Sequence, residues 1–248
     1  MKTIDINFPV SKALAKREFI KYLRNKSRSI TSIFQSLIFL FIFGAGLGKI
    51  GLVSAGIIPQ AILFVGIFSG ISIVQDRMFG FLKEIMIAPI SRTTITFGKA
   101  IGGTIVASIQ GFIVLGITSA LGFFGYDLML LLRILEALPV ILLIGFLTVS
   151  LGNLVATKMQ DFHQMQFIMT FLVFPMFFTS GALIDFVNTP FYSVTLINPM
   201  TYAVDAMRHI LGVAPTGLPL YVDILVLLVF SIAFIVLAAY IFRKSESA

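Results

Sequence analysis

The stretch of this chain richest in chemistry is Asp76-Arg77-Met78-Phe79-Gly80-Phe81-Leu82-Lys83-Glu84-Ile85-Met86-Ile87-Ala88-Pro89-Ile90-Ser91-Arg92. As a helix it sets Arg77, Gly80 and Glu84 on one stripe at i, i+3 and i+7, with Met78, Leu82 and Ile85 on a stripe beside it. Pro89 ends such a helix at or before Ala88. Arg77 and Glu84 then stand ~10 Å apart, too far to pair with each other and free to engage another surface. Gly80 between them costs up to ~1 kcal/mol in a helix relative to Ala, and its missing side chain lets another backbone approach closely. The pattern suits a short helix that plugs into a partner, or an amphipathic loop helix that rests on lipid.

Catalysis has no comparable support. A phosphate-cradling loop needs G-x-x-x-x-G-K-[ST], but Gly48-Lys49 is followed by Ile50 and Gly98-Lys99 by Ala100. No H-E-x-x-H or G-x-S-x-G occurs, and His163 and His209 fall near opposite membrane faces. With no Cys there is no thiol nucleophile, thiolate metal site or disulfide framework. The chain is expected not to be an enzyme and to hold no metal or cofactor of its own.

Lipid must supply the frame for these residues. The chain has 248 residues, 58% of them hydrophobic and only 12% charged, whereas a soluble domain carries ~25% charged residues. A span needs ~20 residues without a charge near the bilayer centre. Six uncharged intervals qualify: Ser29 to Gly48, Ile50 to Gln75, Ala100 to Tyr126, Ala137 to Thr157, Phe162 to Ile184 and Ile224 to Phe242. The fold class is therefore an all-α polytopic membrane protein with spans at about 30–48, 57–75, 100–124, 137–157, 164–184 and 223–242. Residues 1–28 form an amphipathic interfacial helix, and residues 29–248 form one membrane domain. A seventh interval, Phe186 to Val204, carries Asn188, Pro190, Asn198 and Pro199, which would strand backbone groups in hydrocarbon. It reads as an outer excursion with short helices around Phe186 to Leu196 and Tyr202 to Leu211.

Lys and Arg set the orientation. With the N-terminus inside, only Lys49, Arg133 and Arg208 of the 18 Lys and Arg fall outside. Both termini are thus expected in the cytoplasm, in a multi-pass cell-membrane protein. The bias also explains the net charge of +7 without nucleic acid. No cleavable leader is evident, and the first span reads as a signal anchor. Before it, Ser11 is placed to cap a helix with Ala15, Phe19, Tyr22 and Leu23 on one face and Lys12, Lys16, Lys21 and Arg24 mostly elsewhere. That helix serves as an anchor on anionic membrane lipid or as a docking surface.

Inside the spans, Gln35, Gln110 and Asn153 must find hydrogen-bond partners, between helices or along a candidate substrate path. The pairs Gly44/Gly48, Gly66/Gly70 and Gly98/Gly102 permit close helix contact. Phe171, Phe174, Phe177 and Phe178 suit core or lipid packing, or a greasy wall for an amphipathic substrate. Asp127, Glu136, Asp185 and Asp205 fall at outer ends, where hydration makes them cheap. An ion-coupled secondary transporter or a channel also fits six spans, but no Asp, Glu, Lys or Arg falls in the middle of any span.

A second span followed by Arg77, Gly80, Glu84, Pro89 and Arg92, then Gly98-Lys99 leading into a third, resembles the signature of type-2 ABC exporter permeases. The stretch Asn198-Pro199-Met200-Thr201-Tyr202-Ala203-Val204-Asp205-Ala206-Met207-Arg208 before the last span is similar to the pattern of the daunorubicin-type drug-resistance and polysaccharide-export branches. Phe81 departs from the Thr that many relatives carry after the glycine, so no hydrogen bond is carried over there. The resemblance implies a half-transporter that pairs with a second copy or a homologue and docks two copies of a separate ATPase, which holds the ATP and Mg. It further implies a coupling helix over Arg77 to Ala88, re-entrant outer helices over Phe186 to Leu211, and multidrug or polysaccharide efflux.

Overall fold

The computed structural model describes residues 7–24, 26–81, 90–159, 161–213 and 217–245. The described residues are mostly helical and contain no strand. Four helical stretches are long and apolar enough to cross a membrane: Ile50–Met78, Arg92–Ala120, Met129–Ala156 and Leu220–Lys244. Two apolar stretches are shorter, Ile30–Gly46 and Gln166–Thr179.

Helix α1, Phe8–Arg24, begins earlier than Ser11. Asn7 is the side chain that caps it, its Oδ1 accepting from the Val10 N–H at 3.3 Å. Ser11 instead lies buried inside the helix, its hydroxyl donating to the Thr94 carbonyl. Helix α2 is Lys26–Gly46. Gly48, at φ +63, belongs to the turn that follows rather than to a helix contact.

Helix α3, Ile50–Ser69, sits at the centre: every residue from Leu52 to Ile67 is buried. A helix apolar on all sides needs protein or lipid on all sides; here protein surrounds it. After Gly70 the chain continues as α4, Ile71–Met78. Helix α5, Arg92–Ala120, starts at Ser91, whose side chain accepts from the Thr94 N–H. Helix α6 is Met129–Ala156. Both α5 and α6 begin about eight residues before the expected spans, because the charges that bounded the uncharged runs, Lys99 in α5 and Arg133 and Glu136 in α6, lie inside the helices rather than at their ends.

Glycines set the spacing of this core. A Cβ on Gly66 would collide with Thr148 Oγ1, and one on Gly70 with the Gly152 carbonyl oxygen, so α3 and α4 touch α6 backbone to backbone. On α5, Gly98 and Gly102 do the same for α1: added Cβ atoms would lie 3.0 Å from Ser11 Cα and 2.9 Å from Ala15 Cα. Small residues give membrane helices this approach.

The fifth stretch is α7, Phe162–Ile168, a π-helical turn at Met169–Val173, and α8, Phe174–Thr179. Beyond it, only α9, Tyr192–Thr195, forms within the expected helix over Phe186 to Leu196. Pro190 and the turn in which Thr189 N–H and hydroxyl both bond the Phe186 carbonyl keep the rest out of helix. Helix α10, Pro199–Leu211, starts three residues before the expected Tyr202. Helix α11, Leu220–Ser245, is very apolar yet peripheral, with Leu225, Val229, Ile232 and Val236 about 60% exposed. Its outer surface needs lipid.

Candidate functional site

Three segments far apart in sequence converge on Asp76, near the end of α4. Arg17 of α1 donates to both Asp76 carboxylate oxygens, at 3.0 and 2.8 Å, and Lys21, one turn on, donates at 3.1 Å. Lys99 of α5 reaches the same carboxylate at 2.5 Å and Ser72 Oγ at 3.0 Å. Ser72 in turn donates to Glu18 at 2.6 Å, and Glu18 lies 3.8 Å from both Lys21 and Lys99. The i, i+4 spacing of Arg17/Lys21 and of Ser72/Asp76 aims each pair at one partner face. Asp76 and Lys99 are each 3% exposed at the side chain. Buried charges survive only when paired and hydrogen-bonded, and here each has several partners.

The cluster stands at the root of the first loop. Arg17 also places its guanidinium 3.7 Å from the Phe81 ring centre, a cation–π contact. The sequence reading counted these cations as topology signals and missed the cluster. Asp76 and Lys99 flank neighbouring apolar intervals at the ends that must face each other, and that was the available signal.

Arg77 is not free, contrary to the expectation. It donates to the Thr157 carbonyl at 3.0 Å and to the Met159 carbonyl, bracketing the turn after α6 to the end of α4. Helix α4 stops at Met78, and Gly80 follows at φ +78, a left-handed conformation that L side chains avoid. A Cβ on Gly80 would meet nothing within 4 Å among the described residues, so within this part of the chain the glycine serves the turn. Arg77 and Gly80 therefore do not share one unbroken helix. Glu84, Pro89 and most of the expected Arg77 to Ala88 helix lie outside the described residues. Arg92, at the start of α5, donates to the Arg243 carbonyl at 2.8 Å, joining this root to the end of α11.

On the opposite end, Asn198 caps α10 through Met200 N–H at 2.9 Å and donates its amide to the Met176 carbonyl at 2.6 Å and Thr179 Oγ1 at 3.0 Å. Pro199 takes the first helical position, where its missing N–H costs nothing. Tyr202 donates to the Leu196 carbonyl at 2.9 Å. Arg208, 3% exposed, donates to the Gly181 carbonyl and stands 4.0 Å from Asp185. The four motif residues thus knit α8, α9 and α10 together.

Asp205 is buried rather than hydrated, and its carboxylate accepts from Gly217 and Leu218 N–H at 3.0 Å. Burial pushes its carboxyl above the usual range, against the downward pull of those two N–H groups. Burial raises the Tyr192 and Tyr202 phenols as well. A cavity of about 20 Å³, lined in part by Tyr192, Asp205 and Arg208, has room for a single water.

The three span amides sit on three different helices. Gln110 is fully buried with neither amide atom bonded among the described residues, and Asn153 is buried with its Nδ2 unbonded. Among the described residues those three atoms make no interhelical bond. Gln35 of α2 is half-buried. Among the described residues no His, Cys, Asp or Glu group could hold a metal ion.

This helical frame, with four long apolar helices, a buried ionic knot at one end and a capped, knitted helix at the other, is that of a membrane-embedded protein. Residues 10–212 match the ABC-2 type transporter family, and the chain belongs to that family of transport permeases. It is 28% identical over 218 residues to a transport permease ycf38 of Cyanophora paradoxa, covering 79% of this chain and 72% of that protein. Nodulation protein J of Rhizobium meliloti (strain 1021) is 28% identical over 215 residues, 78% of this chain and 79% of that one. Nodulation protein J of Rhizobium leguminosarum bv. viciae is 27% identical over 242 residues, 90% and 91% of the two chains. Membership implies association with an ATPase subunit.

Proposed function

We propose that this chain is the permease half of an ATP-driven exporter. In this reading it crosses the cell membrane six times with both termini inside, pairs with a second copy or a homologue, and docks two copies of a separate ATPase that bind the ATP and Mg. Its cargo is amphipathic, drug-like, lipid-linked or polysaccharide, moved or flipped across the bilayer.

The observation that carries the reading is the convergence at Asp76. The base of the first loop is tied to α1 by Arg17 and Lys21, to α5 by Lys99, and to the turn after α6 by Arg77. A push on the loop from an ATPase would therefore move these helices as one body rather than bend a hinge. Arg77, Gly80, Glu84, Pro89 and Arg92 are the proposed coupling residues: Arg77, Gly80 and Arg92 hold the loop's ends, and Glu84 engages the ATPase. Asn198, Pro199, Tyr202 and Arg208 brace the outer re-entrant segment. Gln35, Gln110 and Asn153 remain candidates for the substrate path.

The test is co-expression with ATPase subunits. The wild-type pair should co-purify and Glu84→Arg should release the ATPase while the permease still folds; undiminished co-purification would remove Glu84 from the interface. One feature favours an ion-coupled carrier instead. Asp223, in α11, is fully buried with neither carboxylate oxygen hydrogen-bonded among the described residues. Transport by this chain alone under an ion gradient, indifferent to ATP depletion, would establish that rival and overturn the exporter.

A further inference from the structure

A groove of about 560 Å³ opens between the end of α6, α7 and the last third of α11. Leu154, Val155, Phe167, Ile168, Leu237 and Ile241 make its walls, and Lys158 and Gln164 stand in its lining as the polar groups. Among the described residues its lining holds one formal charge, the positive one of Lys158, while Gln164 is turned to the Asp161 carboxylate just outside the lining, at 2.9 Å from its N–H. Phe167 is 61% exposed and Leu237 45%, which leaves the walls open to the surrounding bilayer.

We propose that this groove holds an anionic phospholipid of the inner leaflet, with an acyl chain along the apolar walls and the headgroup phosphate on Lys158. The volume lies within the ~300–1,000 Å³ of ligand pockets. A helix from a second copy, ~10 Å across, would exceed it within about a turn and a half, so the shape favours a thin chain. Water is a poor occupant of so apolar a lining. Charge agrees at the mouth: Lys158 is exposed, and α11 ends just past Ile241 with Arg243 and Lys244 in its last turn. The π-helical turn at Met169–Val173 follows Ile168 directly, an irregularity that recurs at functional sites.

The site also touches the transmission route. Lys158 sits between Thr157 and Met159, whose carbonyls Arg77 holds. A lipid bound here steadies the turn that brackets the first loop. The inner-leaflet assignment rests on the orientation proposed above.

The experiment uses the full chain with its ATPase partner in phosphatidylcholine nanodiscs doped with phosphatidylglycerol whose acyl tail carries a photoreactive group. Crosslinks should concentrate at Phe167 and Leu237 over the lipid-facing Val229 and Ile232. Lys158→Gln should lower them about fivefold, the effect of one basic residue at an anionic surface, and Lys158→Arg should keep them. Leu237→Trp, which fills the groove, should remove them even if a Lys158 variant folds poorly. Equal labelling by photoreactive phosphatidylcholine overturns the proposal, as does a disulfide that joins two copies through Leu237→Cys. The chain has no native cysteine, so Lys158→Cys in sealed vesicles reports the face separately. Thiol labelling from outside alone sinks the inner-leaflet assignment together with the topology; loss of lipid selectivity while position 158 still labels from the inside sinks the lipid site alone.

Discussion

Asp76 and Lys99 meet at one hydrogen bond, but their losses are not symmetric. Asp76→Asn leaves the Lys99 ammonium, 3% exposed, with Ser72 and a Glu18 carboxylate at 3.8 Å. Removing one partner of a buried pair costs ~3–5 kcal/mol where the other charge is left bare, and Glu18 should hold the loss to the lower part of that range. Lys99→Met instead leaves Asp76 with Arg17 and Lys21 and should cost clearly less. Thermal unfolding of the two variants in one detergent decides this, and equal losses would show that the network is not organised around Asp76. Its partners come from positions 59, 55 and 23 residues away, which is why the sequence showed the charges but not their meeting. Asn198 and Pro199 were readable because a cap and a first-turn proline are local chemistry. Asp205 was misread for the converse reason: burial depends on distant packing. Its raised carboxyl means the folded state prefers the protonated form, so the associated stability is present at acid pH and lost as pH rises through the folded value. Asp205→Asn keeps an acceptor for Gly217 and Leu218 without that charge. It should be the more stable protein at alkaline pH and lose its advantage on acidification, in melting temperatures taken across a pH series.

Helices follow from the uncharged runs, whereas their ends and breaks follow from single residues. Gly80 illustrates the limit: a periodic stripe suggested continuity, and one left-handed glycine interrupts it. The pairs Gly98/Gly102 and Gly66/Gly70 read correctly as close-contact sites, but spacing alone did not say which helix would fill them. For Gly102 the neighbour is α1, so Gly102→Ala should push α1 off α5, cost ~1–3 kcal/mol as overpacking, and expose the N-terminal helix to limited proteolysis. Gly116 of the same helix is the control. Among the described residues a Cβ there meets nothing within 4 Å, and Gly116→Ala should be neutral or stabilising by up to ~1 kcal/mol. Similar proteolysis of the two variants would deny that α1 is seated through Gly102.

At the scale of the whole chain the number of crossings turns on two helical stretches of borderline length. Helix α2, with 21 residues, runs ~31 Å, and residues 162–179 run ~27 Å, against a hydrocarbon core of ~30 Å. Either can span with flanking side chains at the interface. The lack of native cysteine permits a direct answer from single exposed positions: Phe8, Phe79, Tyr126, Lys158 and Ile197, each replaced by Cys and tested with an impermeant thiol reagent in sealed, oriented vesicles. Six crossings with the N-terminus inside place positions 8, 79 and 158 on the cytoplasmic face and 126 and 197 outside. If α2 fails to cross, position 8 moves to the face opposite position 79. If the fifth stretch fails, position 197 joins position 158. The Lys and Arg distribution, with only Lys49, Arg133 and Arg208 on the outer side of a six-span chain, favours the first pattern. The same pattern puts the Asp76 cluster and the Arg77 bracket together on the face where an ATPase could press on them.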